Sequence, residues 1–114
     1  MKTILVPFDF STYSVAALQT AQRIHAKNHA KIICVTVVPS EIDWDLLSEE
    51  AKAKHPELLE QQQEAVDVLP GYIKSLTQVK SQIEFIVKIG VPYEQILRVA
   101  EKQLVSIIVI GAYG

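Results

Sequence analysis

Three stretches of the chain are apolar almost without a break: Thr3 to Phe8 (TILVPF), Lys31 to Val38 (KIICVTVV) and Val105 to Ile110 (VSIIVI). Near-continuous Val and Ile imply burial on both faces, which a strand meets in a parallel sheet covered by helices on each side. A fourth stretch, Gln82 to Ile89 (QIEFIVKI), alternates instead, with Ile83, Phe85 and Val87 on one side and Glu84 and Lys88 on the other. That period suits a strand at the edge of the sheet.

Helical spacing fills the intervals. Ser14 to Lys27 puts Ala17, Ala21 and Ile24 on one stripe, with Val15, Leu18 and His25 beside it. Pro92 to Gln103 opens with proline, which fits a first helical position because its missing N–H would be unpaired there anyway. Ile96, Val99, Ala100 and Gln103 follow at helical intervals. Between the second and third strands lies a long connection, Pro39 to Lys80, whose first half (SEIDWDLLSEEAKAKHPE) is acidic and irregular. Its second half, Leu58 to Leu76, has a helical pattern carrying Pro70-Gly71, which predicts a kink or two helices meeting there. The order β-α-β-α-β-α-β predicts an α/β fold, a doubly wound open parallel sheet, in one domain over residues 1–114.

Composition narrows the function classes. Apolar residues are 49% and charged residues 21%, so the chain can bury a core and is not a disordered polymer. A net charge of −2, with Lys and Arg scattered, argues against a nucleic-acid partner. Val105 to Ala112 is the longest apolar run and is broken by Ser106 and Gly111, far short of the roughly 20 residues of a membrane span. The single cysteine, Cys34, sits in an apolar run and cannot form an internal disulfide, which favours a reducing, cytoplasmic setting.

Open parallel sheets bind ligands beyond the carboxyl ends of their strands, where strand order reverses. The residues that leave the strands are therefore the candidates: Pro7-Phe8-Asp9-Phe10-Ser11 after the first, Val37-Val38-Pro39 after the second, and Gly111, Ala112, Tyr113 and Gly114 after the last. Two readings of Asp9 stand together. A carboxylate leaving a buried strand needs donors, which a ligand's N–H or hydroxyl would supply; alternatively it is a turn former or N-cap ahead of Ser11 and Ser14. Gly111 and Gly114 form a Gly-x-x-Gly turn whose bare backbone amides suit a phosphate, or simply a tight turn.

Other chemistry-bearing residues read more plainly. His25 and His29 fall near a helix end, where a surface pair favours the dipole, and with His55 they make no metal cluster. Asp43, Asp45, Glu49 and Glu50 flank Trp44, as in a solvated acidic loop with the indole packed on the domain. No Ser-His-Asp or Cys-His arrangement and no carboxylate partner for Asp9 are suggested, so an efficient enzyme is not expected.

Taken together, KTILVPFDFS, VTVV, KIGVPYEQILRVAE and VSIIVIGAYG resemble, in order and spacing, a universal stress protein domain. The resemblance spans essentially the whole chain and implies the adenine nucleotide alpha-hydrolase-like, Rossmann-like variant of the fold. It implies adenine-nucleotide binding (ATP or AMP, with Mg2+ accompanying it) in stress response or signalling, with at most slow ATP hydrolysis. On that likeness Asp9, with Pro7 beside it, meets the adenine or ribose. Val37 lines the adenine; Gly111, Ala112, Tyr113 and Gly114 begin the phosphate loop, and Gly90 and Pro92 shape a turn into the third helix.

The family pattern continues past Gly114 with further glycines, a hydroxyl residue, a last helix and a fifth strand. The expectation is thus a C-terminally incomplete domain lacking the fifth strand and last helix, with weak or absent binding in the 114-residue form. The fourth strand would then be a long, exposed edge needing a second copy or a complementing chain as partner. A different class of function also fits the resemblance, namely a protein-interaction or assembly module of the same fold that binds no nucleotide.

Overall fold

A computed structural model describes residues 2–76 and 83–111. Among these described residues four strands form one sheet: β1 (Thr3–Pro7), β2 (Lys31–Pro39), β3 (Glu84–Gly90) and β4 (Ile107–Ile108), in the order β3-β2-β1-β4. All pairings are parallel. β1 is central, and the chain moves outward through β2 to β3 before returning to place β4 on the other side of β1. The alternating stretch is an edge strand, as its pattern predicts.

Three long helices cover the sheet: α1 (Thr12–Asn28), α2 (Pro56–Leu76) and α3 (Pro92–Lys102). Ile4, Val6 and Phe8 of β1 and its exit, with Ile32 and Cys34 of β2, pack under Ala17, Leu18 and Ala21 of α1 and under Leu69 and Ile73 of α2. The alternate residues Leu5, Ile33 and Val35 face the other way, onto Val99 with Ile96 and Ala100 of α3. This is the doubly wound arrangement, and it explains why β1 and β2 lack a polar face. Burial of Cys34 pushes its thiol up to about 12.

Three sequence expectations change. The pattern at Pro70-Gly71 predicts a kink or a helix pair; the helix pair is not formed, since α2 is a single continuous element with Pro70 inside it. Pro70 is solvent-exposed while its neighbours Leu69 and Ile73 are buried, so burial of that face holds the helix through the missing N–H. The fourth strand, expected over Val105 to Ile110, contracts to two residues, although ladder bonds from Ser106 N–H to the Thr3 carbonyl and from Val109 N–H to the Leu5 carbonyl extend it at both ends. The edge is therefore short rather than long. Lastly, the acidic connection is not irregular throughout: it holds a 3-10 turn at Trp44–Leu46 and a four-residue helix at Glu49–Lys52. Trp44 is buried against Val38, Leu58 and Ile89, as its packing was expected to be.

Gly90 ends β3 with a φ of 147°, where a side chain is strained. A Cβ there would also lie 2.7 Å from Nε2 of Gln95, whose buried side chain covers this turn. Replacing Gly90 with alanine is expected to lower unfolding free energy by about 1–3 kcal/mol, read from urea denaturation; an unchanged midpoint would contradict the turn's role.

A candidate ligand cavity at the carboxyl ends of the strands

Strand order reverses between β1 and β4, and there the parallel-sheet rule locates a crevice. A cavity of about 300 Å³ occupies that place. Its aliphatic walls come from Val35, Val37 and Pro39 of β2, Pro92 and Ile96 of α3, and Ile110. Its polar rim comes from the segment leaving β1, with Asp9, Ser11, Tyr13 and Ser14, and Gly111 closes the β4 side.

Local chemistry fixes that segment. The ladder continues past Pro7 through Phe8 N–H to the Val35 carbonyl at 2.8 Å, and the buried Thr36 hydroxyl donates to the Phe8 carbonyl at 2.8 Å. The chain then turns. Asp9 Oδ1 accepts from the Ser11 amide at 3.0 Å, and Ser11 Oγ caps α1 by accepting from the Ser14 amide at 3.1 Å. Ser14 Oγ donates back to the Ser11 carbonyl at 2.9 Å. Hydrogen bonds from the Ser11 side chain, together with backbone and Ser14 donors, outweigh partial burial and hold Asp9 below the ordinary carboxylate value. The residue is exposed rather than poorly solvated, because its donors are local. Asp9 therefore shapes the turn, as its second reading has it, and it also lines the cavity.

Of the expected site residues, Pro7, Asp9, Val37 and Gly111 line one cavity, while Ala112, Tyr113 and Gly114 lie outside the described residues. Gly111 has a steric reason beside the expected ones. Among the described residues the glycine with positive φ is Gly90; at Gly111 a Cβ would overlap the carbonyl group of Tyr13. Close approach of β4 to the first turn of α1 therefore demands a bare Cα. Tyr13, Ile96 and the wall role of Pro92 escaped the sequence reading. Tyr13 lies four residues after Asp9, a spacing that becomes visible only once Ser11 is known to start α1.

A second polar cluster lies at the same end of the sheet, beside β3. Asp45 accepts from Arg98 Nη1 at 2.9 Å and Gln95 Nε2 at 3.0 Å, with Lys88 Nζ at 3.7 Å, and Arg98 also reaches Asp43 at 3.4 Å. The carboxylates are exposed, as expected, and in addition Asp43 and Asp45 tie the connection to α3 and β3. Gln95 donates foremost, and with Arg98 and Lys88 it holds Asp45 below its ordinary value. Among the described residues no group of three or more His, Cys, Asp or Glu could hold a metal, and no helix is long and apolar enough to cross a membrane.

Comparison with known proteins places this geometry. The model of the universal stress protein family matches residues 1–114. The chain belongs to the universal stress protein family. Universal stress protein MJ0577 of Methanocaldococcus jannaschii is 27% identical over 125 residues, covering 99% of this chain and 77% of the relative. The solved structure of MJ0577 superposes with a TM-score of 0.74 at 26% identity, over 99% of this chain and 76% of that one. UspA of Lactobacillus plantarum gives 0.75 at 23% identity, over 99% and 78% of the two chains. A universal stress protein solved in complex with cAMP gives 0.59 at 21% identity, over 96% and 75%. The two last share the fold.

Because Asp45 has a folded pKa below its unfolded one, its contribution is present in full above about pH 4 and is lost as pH falls through the folded value. Asp45→Asn is expected to lower the urea midpoint at pH 7 and to converge with the parent protein in acid. A difference that stays constant down to pH 2 would refute the ion-pair tie.

Proposed function

We propose that this universal stress protein binds an adenine nucleotide, ATP or AMP, in the cavity at the ends of β1, β2 and β4, and acts in stress response or signalling through occupancy rather than turnover. The observation that carries the reading is the pairing of a flat aliphatic wall with a single ionised carboxylate. Val35, Val37, Pro39 and Ile96 offer faces to a purine, while Asp9 accepts from an amine or ribose hydroxyl. A volume near 300 Å³ falls at the lower end of small-molecule sites, about 300–1,000 Å³. Phosphates would extend toward Gly111 and the residues after it, carrying Mg2+ held mainly by their own oxygens. That a protein of this fold was solved with cAMP agrees with the reading.

The state of Asp9 agrees with occupancy rather than turnover. A general base works best near the operating pH, whereas this carboxyl is held below its ordinary value and serves as a fixed acceptor. NMR titration of the 114-residue chain with ATP, AMP and GTP tests the proposal. Shifts are expected at Asp9, Val37 and Gly111 with ATP and AMP, at a Kd on the order of 1 mM, the level that gripping one base supplies. Asp9→Ala should weaken it roughly tenfold, the equivalent of one charge-assisted hydrogen bond. No shift at 10-fold higher ATP, or equal binding of GTP, would remove the adenine assignment.

A second reading has its own observation. β4 is a sheet edge with Ile107 and Ile110 exposed, and Tyr93, Leu97 and Leu104 are exposed as well, at 72%, 44% and 85%. We infer an assembly function in which a second copy pairs along β4. Light scattering after size exclusion is expected to give a dimer as protein concentration rises; a monomer at every concentration would exclude it.

A further inference from the structure

Between Asp9 and Ser11, both on the cavity rim, stands a residue that does not line it. Phe10 has a φ of 67°, a left-handed backbone that an aromatic side chain enters at a cost. Its neighbours in the turn are held by hydrogen bonds, and what meets Phe10 is aromatic. Its ring lies 5.2 Å from Phe8, edge to face at 74°, and 5.1 Å from Tyr72 of α2 at 60°; Phe8 and Tyr72 are themselves 5.9 Å apart. Phe8 is buried in the core on the α1–α2 side of the sheet, and Tyr72 precedes the fully packed Ile73. Phe8 anchors the three rings in the core, while Phe10 and Tyr72 stay partly exposed at its edge, with separations in the range where aromatic pairs attract.

The geometry has a directional consequence. Phe10 packs onto Tyr72 of α2, while Asp9 and Ser11 on either side of it line the cavity and keep their own hydrogen bond. An ordinary right-handed or extended φ at Phe10 would rotate Asp9 relative to Ser11 and take the ring off Tyr72.

We propose that Phe10 and Tyr72 form an aromatic clasp that orients the Asp9–Ser11 turn toward the ligand, making both positioning residues for the nucleotide cavity and coupling α2 to it. The proposal rests on the nucleotide reading for its consequence, while the clasp itself is measurable without ligand. Neither ring touches the ligand, so their effect reaches it through Asp9.

The experiment uses the 114-residue chain, with Tyr72→Ala and Phe10→Gly to remove either ring and Tyr72→Phe as the conservative variant. Glycine at 10 also relieves the backbone strain, so that variant keeps the fold if the alanine variant at 72 does not. Asp9 carboxyl titration by NMR is the first readout: the midpoint is expected to rise toward the ordinary value in Tyr72→Ala and Phe10→Gly and to stay low in Tyr72→Phe. ATP titration is the second, with Kd rising roughly three- to tenfold in the two ring-removing variants, the equivalent of losing one aromatic pair, and restored in Tyr72→Phe. An unchanged Asp9 midpoint in both folded variants, or unchanged ATP affinity beside a moved midpoint, overturns the clasp as a positioning device. If the parent chain binds no ATP, the nucleotide reading fails by itself, and the Asp9 midpoint still decides for or against the clasp.

Discussion

Where a central parallel strand stops, its backbone loses ladder partners while still lying among apolar side chains, and β1 meets this condition. It is paired on both sides and covered on both faces. An unpaired backbone group in such a place costs about as much as a lost hydrogen bond. The chain answers with the Phe8 rung to Val35, the Thr36 hydroxyl on the Phe8 carbonyl, and then the interlocked Asp9, Ser11 and Ser14 bonds that begin α1. The rim of the cavity is what this answer looks like from outside. A polar group that satisfies the backbone at the strand's end also presents a carboxylate beside a wall of aliphatic side chains.

The two flanks of this end of the sheet are held by different physics. On the β4 side the constraint is steric: Gly111 passes so close to Tyr13 that a side chain has no room. On the β3 side it is electrostatic and apolar together, with Trp44 buried and Asp45 bridged to Gln95, Arg98 and Lys88. Exposed ion pairs of this kind each contribute little alone. Here they add to an indole already packed, so they orient a segment that burial has placed.

Much of the fold was legible in the residue pattern. Unbroken Val and Ile runs report burial on both faces, and the alternation over Ile83 to Lys88 reports an edge, because both are consequences of a side-chain period of two. Proline at 92 marked a helix start for an equally local reason. Where the pattern misled, a tertiary contact had overruled a local preference: α2 runs on through Pro70 because Leu69 and Ile73 are buried. The site was legible in part. Strand ends pointed to Pro7, Asp9, Val37 and Gly111, but Tyr13, Pro92 and Ile96 reach the cavity from helices whose rotation about their axes no linear spacing specifies. Gln95 was hidden altogether, since a polar residue on a helix reads as solvent-facing until the turn at Gly90 covers it.

By itself, then, the order of residues determined the succession of elements, the parallel sheet, the edge position of β3 and the set of strand-end residues from which a site is built, since each follows from periodicity or from a single residue's backbone limits. Only the tertiary structure decided that Asp9 shares one cavity with Gly111, that Phe10 is turned onto Tyr72, and that Asp45 is tied to Arg98. Those relations join residues dozens of positions apart, and their distances depend on how helices pack on a twisted sheet rather than on any preference carried along the chain.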